Sequence, residues 1–275
     1  MLQRLFNFYL NSSIHVALAA FALTWVTLVQ FNLEYDENSL CFVFFASITA
    51  YNFVKYFGVA KFHHRRLATW LKVIQVFSLF AFFAMCYYLI QLEQNTLILI
   101  SVLAVITFLY AIPLIPKHFL LDEQKNLREI GGLKVYVIAF VWTFTTVFLP
   151  LINNDLPLTA DVVITGLQRF IFVLVLMLPF EIGDMKYDSI KLATIPQKIG
   201  VKRSKVIGAL LLMVFVLLEF FKEELTETML ISNLIITFVT LLCLVFSKKK
   251  QSRYYSAFWV EGIPILWLLL MLVLG

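Results

Sequence analysis

Charged residues are scarce in this sequence of 275 residues, and their scarcity excludes most classes of soluble protein. Only 14% of the residues are charged, whereas 61% are hydrophobic. A soluble domain carries about 25% charged residues, so the composition, with a mean hydropathy of +0.90, predicts an integral membrane protein. The net charge of +5 does not indicate a nucleic-acid-binding protein, because nearly all the basic residues lie between apolar runs.

Cysteine is also rare, and the three that occur show no CxxC spacing: Cys41, Cys86 and Cys243. We expect them to be small packing residues, so the sequence predicts neither a disulfide framework nor a cysteine metal site. The first apolar run lacks a small-residue cleavage site, and we expect no cleavable signal peptide. With no evident inverted repeat or interrupted helix pair, the sequence gives a small transporter no positive support.

Apolar runs fill most of the chain, and a membrane span needs about 20 such residues. The sequence therefore predicts an all-α fold in which residues 1–275 form a single domain, a bundle of about nine transmembrane helices. The predicted helices lie at 14–31, 39–57, 71–91, 96–116, 134–151, 161–181, 204–221, 228–246 and 256–274.

Basic residues occupy alternate connections, and this alternation predicts the orientation. The segments after the second, fourth, sixth and eighth helices hold nearly all the loop lysines and arginines, whereas the other connections are acidic with Lys222 as their only base. By the positive-inside rule, the amino terminus is predicted to be cytoplasmic and the carboxyl terminus outside. The active side, if there is one, is then the cytoplasmic side of what we expect to be a bacterial plasma membrane.

An acidic stripe marks the end of the sixth predicted helix. Glu181, Asp184 and Asp188 fall at helical spacings of three and four residues, so a continuing helix places them on one face. Carboxylates at the end of an apolar helix are costly unless a positive group lies opposite them. Magnesium suits such a place, because it takes one or two protein carboxylates together with water and substrate phosphate. The alternative is a solvated loop of mixed charge.

The second predicted helix ends on the same side as the acidic stripe. If the two helices are neighbours, the stripe faces a set of polar and basic residues: Asn52, Lys55, His63, His64, Arg65 and Arg66. A pocket of both signs walled by apolar helices suits a ligand with an anionic head and a lipid tail. The arginines have an alternative role as topology determinants attracted to anionic lipid. Asn52 and Lys55 lie inside the apolar run, which favours a functional role for them.

These motifs resemble those of the UbiA superfamily of intramembrane prenyltransferases. The family's second motif, DxxxD followed by Ser or Thr, is matched by Asp184, Asp188 and Thr194. Its first motif, NDxxDxxxD, retains only its asparagine, Asn52, because the three aspartates are replaced by Phe53, Tyr56 and Ala60. The loop after the fourth helix, where the family has a tyrosine-proline-lysine motif, contains Tyr110, Pro113, Pro116 and Lys117.

The resemblance implies a prenyl diphosphate and a lipophilic acceptor as substrates and Mg²⁺ as cofactor. Asp184 and Asp188, supported by Glu181, would ligate one magnesium ion rather than the family's two. Lys55, with Arg65 or Arg66, would contact phosphate in place of the missing metal. Alternatively, Lys55 pairs with Asp184 or Glu181 in a closed salt bridge. Further candidates for phosphate binding are Asn52, Lys117, Arg128, Lys134 and Lys191.

The sequence is therefore compatible with two functions. The first is an atypical transferase of prenyl groups, from which a terpene cyclase with the same first step is not separable. The second is a non-catalytic isoprenoid- or lipid-binding protein, or an accessory membrane protein, for which the loss of the first motif argues. Arg169 is expected to have a structural partner or to contact the deeper cavity, and Glu261 to face either an acceptor or a base. The oligomeric state is left open.

Overall fold

The computed structural model describes residues 2–62, 69–111, 132–186 and 194–274, with the side chains of 57–62, 69 and 111 outside the description. All the regular structure in these ranges is helical. The helices are α1 (Leu2–Asn11), α2 (Ile14–Gln30), α3 (Glu37–Phe62), α4 (Thr69–Leu89), α5 (Gln94–Ala111), α6 (Leu133–Asn153), α7 (Ala160–Asp184), α8 (Ile195–Ile199), α9 (Val201–Glu219), α10 (Glu227–Phe246) and α11 (Tyr255–Leu274).

Each of the nine predicted segments falls on one of these helices, and α1 and α8 are additional. In the described part of the chain, six helices are long and apolar enough to cross a membrane, or seven if the bent pair α1 and α2 is one span. The protein is therefore an all-helical integral membrane protein. The number of helices that cross the membrane and the orientation of the termini remain predictions.

Helices α2 and α7 hold the bundle together. Helix α2 packs against α3, α6 and α11, and α7 packs against α6, α9, α10 and α11. Small residues allow the close approach to α2, because Ala17, Ala19 and Ala22 are almost fully buried. Among the described residues, α3 and α7 are not a closely packed pair. The acidic stripe was predicted to face Asn52 and Lys55 only if these two helices are neighbours, and close packing between them does not supply that condition.

Three irregular stretches interrupt the helices. Helices α1 and α2 meet at 57° across Ser12 and Ser13, and Ser13 takes the left-handed conformation with φ 64°. Helix α6 is π-helical over Phe144–Phe148, and α11 begins with a π-helical stretch at Tyr255–Val260. Such stretches are rare and frequently adjoin functional sites.

Pro150 explains one link between the helices. It has no N–H to donate to the carbonyl of Thr146, four residues earlier. That carbonyl instead accepts a hydrogen bond of 2.7 Å from the Thr27 hydroxyl on α2. The π-helical stretch of α6 is thereby joined to α2 in the interior of the bundle.

Arg169 lies in the same region and is 1% exposed. Its guanidinium donates to the Leu23 carbonyl at 2.7 Å and to the hydroxyls of Thr27 and Thr146 at 3.2 and 3.3 Å. It also lies 5.1 Å from the ring centroid of Trp267. These contacts join α2, α6, α7 and α11, so Arg169 is a structural residue in this fold.

Candidate functional site

Asn52 fixes the break between α1 and α2 from the side of α3. Its carbonyl oxygen accepts a hydrogen bond of 2.8 Å from the Ser13 hydroxyl. Its amide donates to the Ser12 carbonyl at 3.0 Å and to the Ser78 hydroxyl at 2.8 Å. Asn52 is 3% exposed, so its polar atoms are engaged in the protein interior. The structure thus gives this predicted substrate-binding residue a positioning role.

Lys55 lies one turn after Asn52 on α3, and it also contacts the break between α1 and α2. Its ammonium donates a hydrogen bond of 2.8 Å to the Ser13 hydroxyl, which in turn donates to Asn52. The side chain of Lys55 nonetheless remains exposed. The charges that act on it are those of Glu261 and Arg253, so its described contacts differ from the predicted salt bridge with Asp184 or Glu181.

The end of α7 carries the described part of the acidic stripe. Glu181 is 1% exposed, and Asp184, the last residue of the helix, is half-buried. Among the described residues no group of three His, Cys, Asp or Glu side chains could hold a metal ion. Asp188 and Lys191 lie outside the described residues, as do Arg65, Arg66, Lys117 and Arg128. Lys134 is half-buried in the first turn of α6.

Gln251 attaches the end of α7 to the start of α11. Its amide nitrogen donates to the Pro179 carbonyl at 2.8 Å and to the Ser256 hydroxyl at 2.7 Å. Gly183 makes room for this side chain, because a Cβ atom there would lie 2.6 Å from the Gln251 nitrogen. Gly183, next to Asp184 in the sequence, could have indicated this close contact, but it was not among the predicted site residues.

His15 attaches the start of α2 to α11 at the same end of the bundle. One ring nitrogen, Nε2, lies 2.9 Å from the Phe258 carbonyl and must donate to it, because a carbonyl only accepts. The other, Nδ1, then accepts from the Tyr9 hydroxyl at 2.7 Å. The contacts of Gln251 and His15, together with those of Asn52 and Lys55, therefore bring the start of α2 and the ends of α3 and α7 together around the start of α11.

Glu261 is an acidic residue of α11 that directly follows the π-helical stretch Tyr255–Val260. It is half-buried, and its charge acts on Lys55, on Tyr9 and on Tyr51. The Tyr51 hydroxyl accepts a hydrogen bond of 2.8 Å from the Trp142 indole, which links α3 to α6. An acidic residue inside an apolar helix was the sequence signal for Glu261, but its partners on distant helices were not predictable.

No family model and no curated protein matches the sequence. Solved structures do match over nearly the whole chain. An apo structure of a UbiA homolog from Aeropyrum pernix K1 is 14% identical, with a TM-score of 0.65 over 94% of this chain and 98% of that one. The chain has the UbiA fold. A structure of digeranylgeranylglyceryl phosphate synthase in membranes is 16% identical, with a TM-score of 0.59 over 98% of both chains.

A third structure with the UbiA fold is that of a homolog from Archaeoglobus fulgidus, at 9% identity. Its TM-score is 0.53 over 97% of this chain and 96% of that one. At these identities the likeness establishes the fold, and it confirms the architecture that the motif resemblance implied. The UbiA fold here brings Lys55, Glu261 and the end of α7 to one end of the bundle, whereas Arg169 lies in its interior.

Proposed function

We propose that this protein is an intramembrane prenyltransferase that moves a prenyl group from its diphosphate to a lipophilic acceptor. The observation that carries the proposal is Lys55, an exposed lysine whose ammonium donates to Ser13, itself held by Asn52, at the end of an apolar bundle with the UbiA fold. A positive group in such surroundings suits the anionic head of a ligand whose tail is apolar.

In this proposal Lys55 supplies part of the positive charge that the family's first aspartate motif, missing here, would supply by holding a magnesium ion. An ammonium can contact phosphate oxygen directly and stabilise the negative charge that develops there. Among the described residues Ser13 accepts from one of the three N–H donors of this ammonium, and the proposal assigns the other two to a ligand. Arg253, whose guanidinium donates to Asn11, adds a second positive charge near Lys55.

Magnesium fits the donors at the end of α7. Glu181 and Asp184 lie one helical turn apart, and Mg²⁺ takes one or two carboxylates together with phosphate oxygens of a substrate. Asp184 and Asp188 would hold one ion, supported by Glu181, and the ion would supply positive charge to the departing diphosphate. One ion suffices in this proposal because Lys55 provides further positive charge to the diphosphate.

The reaction begins with the allylic carbon–oxygen bond, which breaks with its electron pair leaving on diphosphate. The acceptor then donates an electron pair to the prenyl cation, and the acceptor loses a proton. Lys55 holds the diphosphate while the apolar walls exclude water from the cation. The basic residues Arg65, Arg66, Lys117, Arg128, Lys134 and Lys191 remain proposed phosphate contacts.

Release of diphosphate from radiolabelled geranylgeranyl diphosphate tests the proposal in purified protein with Mg²⁺. We expect the wild-type protein to release diphosphate and Asp184→Asn to release it at least about 100-fold more slowly, because charge stabilisation of the leaving group is lost. A wild-type protein that binds the substrate but never cleaves it would instead be an isoprenoid-binding or accessory protein.

A further inference from the structure

Helix α1 turns its polar side chains towards the protein, which is the reverse of what an amphipathic helix in water does. Gln3, Asn7 and Asn11 are spaced by four residues and therefore lie on one face. The Gln3 amide donates to the Tyr254 hydroxyl at 3.2 Å, and that hydroxyl donates to the side-chain oxygen of Asn7 at 2.9 Å. The side-chain oxygen of Asn11 accepts from Arg253. The polar face of α1 is thus hydrogen-bonded to the residues directly before α11.

The opposite face of α1 is apolar and exposed. Leu2 and Leu5 are 83% and 57% exposed, and their spacing of three residues puts them on the same side of the helix. The neighbouring Phe6 is anchored on the protein, with its ring centroid 5.4 Å from that of Tyr254 and 5.2 Å from that of Phe258. A helix whose polar face is already hydrogen-bonded to the protein and whose outer face is apolar needs an apolar medium around it.

The bend between α1 and α2 indicates where this apolar face lies. Helix α2 has 17 residues and is about 25 Å long, close to the thickness of about 30 Å of the hydrocarbon core of a membrane. Helix α1 meets the end of α2 at an angle of 57°. With α2 crossing the core, α1 extends more along the membrane surface than through it. The amphipathic pattern of α1 is typical of helices in that position.

Positive charge lies beside the apolar face. Arg4 is exposed, and α1 contains no acidic residue. The connection that leads to Tyr254 has the sequence KKKQSR at 248–253, which is also free of acidic residues and exposes its three lysines. An apolar helix face with basic residues next to it binds a lipid leaflet through acyl chains and anionic headgroups together.

We propose that α1 is an interfacial helix that binds anionic phospholipid. Leu2 and Leu5 lie among the acyl chains, and Arg4 contacts the lipid phosphate. The bound helix ends at the break where Ser13 accepts from the Lys55 ammonium at 2.8 Å, so lipid and Lys55 are held by one segment. This lipid-binding surface does not rest on prenyl transfer, because a non-catalytic protein with the same structure would have it too.

Hydrogen–deuterium exchange of the full-length protein in nanodiscs measures the docking of α1. The lipid is phosphatidylcholine alone or phosphatidylcholine with about one quarter phosphatidylglycerol. We expect the amides of residues 2–11 to exchange at least about threefold more slowly with phosphatidylglycerol, because a helix bound to the leaflet opens less often. Arg4→Gln should reduce this difference to less than about 1.5-fold, because the contact with the anionic phosphate is lost. The double variant Leu2→Ser/Leu5→Ser should exchange at least about tenfold faster than wild type in both lipids.

Lys202→Gln is the matched control, because it removes one exposed positive charge from the first turn of α9. It should keep the wild-type effect of phosphatidylglycerol on residues 2–11. Leu2, Arg4 and Leu5 are all exposed, so their replacement leaves the packed core intact, and thermal unfolding checks this.

The inference is overturned if wild-type α1 exchanges equally fast in both lipids, or if Arg4→Gln keeps the full difference. It is also overturned if Leu2→Ser/Leu5→Ser exchanges like wild type, or if Lys202→Gln removes the difference as Arg4→Gln does. None of these measurements involves cleavage of a diphosphate, so their failure is distinct from failure of the proposed function.

Discussion

Lys55→Ala weakens the binding of geranylgeranyl diphosphate by about 10- to 150-fold, the range expected for the loss of one charge-assisted hydrogen bond. The ammonium is fixed by the Ser13 hydroxyl, so little side-chain freedom is lost when it contacts phosphate. Lys55→Arg should recover part of the affinity, because it restores the charge with a different geometry. The measurement is equilibrium binding to detergent-solubilised protein.

Lys250→Ala is the control for the removal of one positive charge at the predicted cytoplasmic surface. Lys250 is exposed in the segment before α11, and its replacement should change the affinity by less than about twofold at physiological salt. An unchanged affinity in Lys55→Ala would end the proposal that Lys55 contacts diphosphate. The thermal stability of that variant must remain close to wild type for the comparison to be read as binding.

Glu219→Ala destabilises the other end of the bundle by about 3–5 kcal/mol, because it leaves a buried ammonium without its partner. Glu219 is fully buried and lies 3.0 Å from the Lys222 ammonium. The same carboxylate oxygen accepts from the amides of Gln168 at 2.7 Å and Asn233 at 2.9 Å. Burial lowers the pKa of Lys222, an effect that the charge of Glu219 opposes.

The double variant Glu219→Leu/Lys222→Met tests the reason for that loss. Removing both charges leaves no unpaired ammonium, so thermal or denaturant unfolding in detergent should show it to be more stable than Glu219→Ala by about 1 kcal/mol or more. A double variant that is less stable than the single one would contradict this account. Diphosphate affinity should stay close to wild type in both, because this cluster lies at the end of the bundle opposite Lys55.

Much of the fold followed from the sequence because each helix needs its own apolar run. The described helices begin and end within a few residues of the predicted bounds, and the alternation of basic connections correctly grouped the ends of α3 and α7 at one end of the bundle. Helix α1 was not predicted, because it is amphipathic rather than uniformly apolar. Its break from α2 depends on contacts that Ser13 receives from Asn52 and Lys55, which no local pattern records.

The candidate site was predicted only in part, for a similar reason. The spacing of Glu181 and Asp184 on a single helix was sufficient to place them together, and Lys55 was identified by its charge within an apolar run. The interaction of Lys55 with Glu261 joins helices at opposite ends of the chain, so it required the packing of α2 between α3 and α11. The metal interpretation of Asp184 and Asp188 stays a prediction.

Binding of geranylgeranyl diphosphate with and without Mg²⁺, compared between wild type and Asp184→Ala, tests the central claim most directly. The claim is that one acidic motif with one magnesium ion, together with Lys55, forms a working diphosphate site. It predicts that magnesium tightens binding to the wild-type protein at least about tenfold and that Asp184→Ala abolishes this gain while the contribution of Lys55 remains. Binding that is indifferent both to magnesium and to Asp184→Ala would contradict it and make the acidic stripe a structural feature.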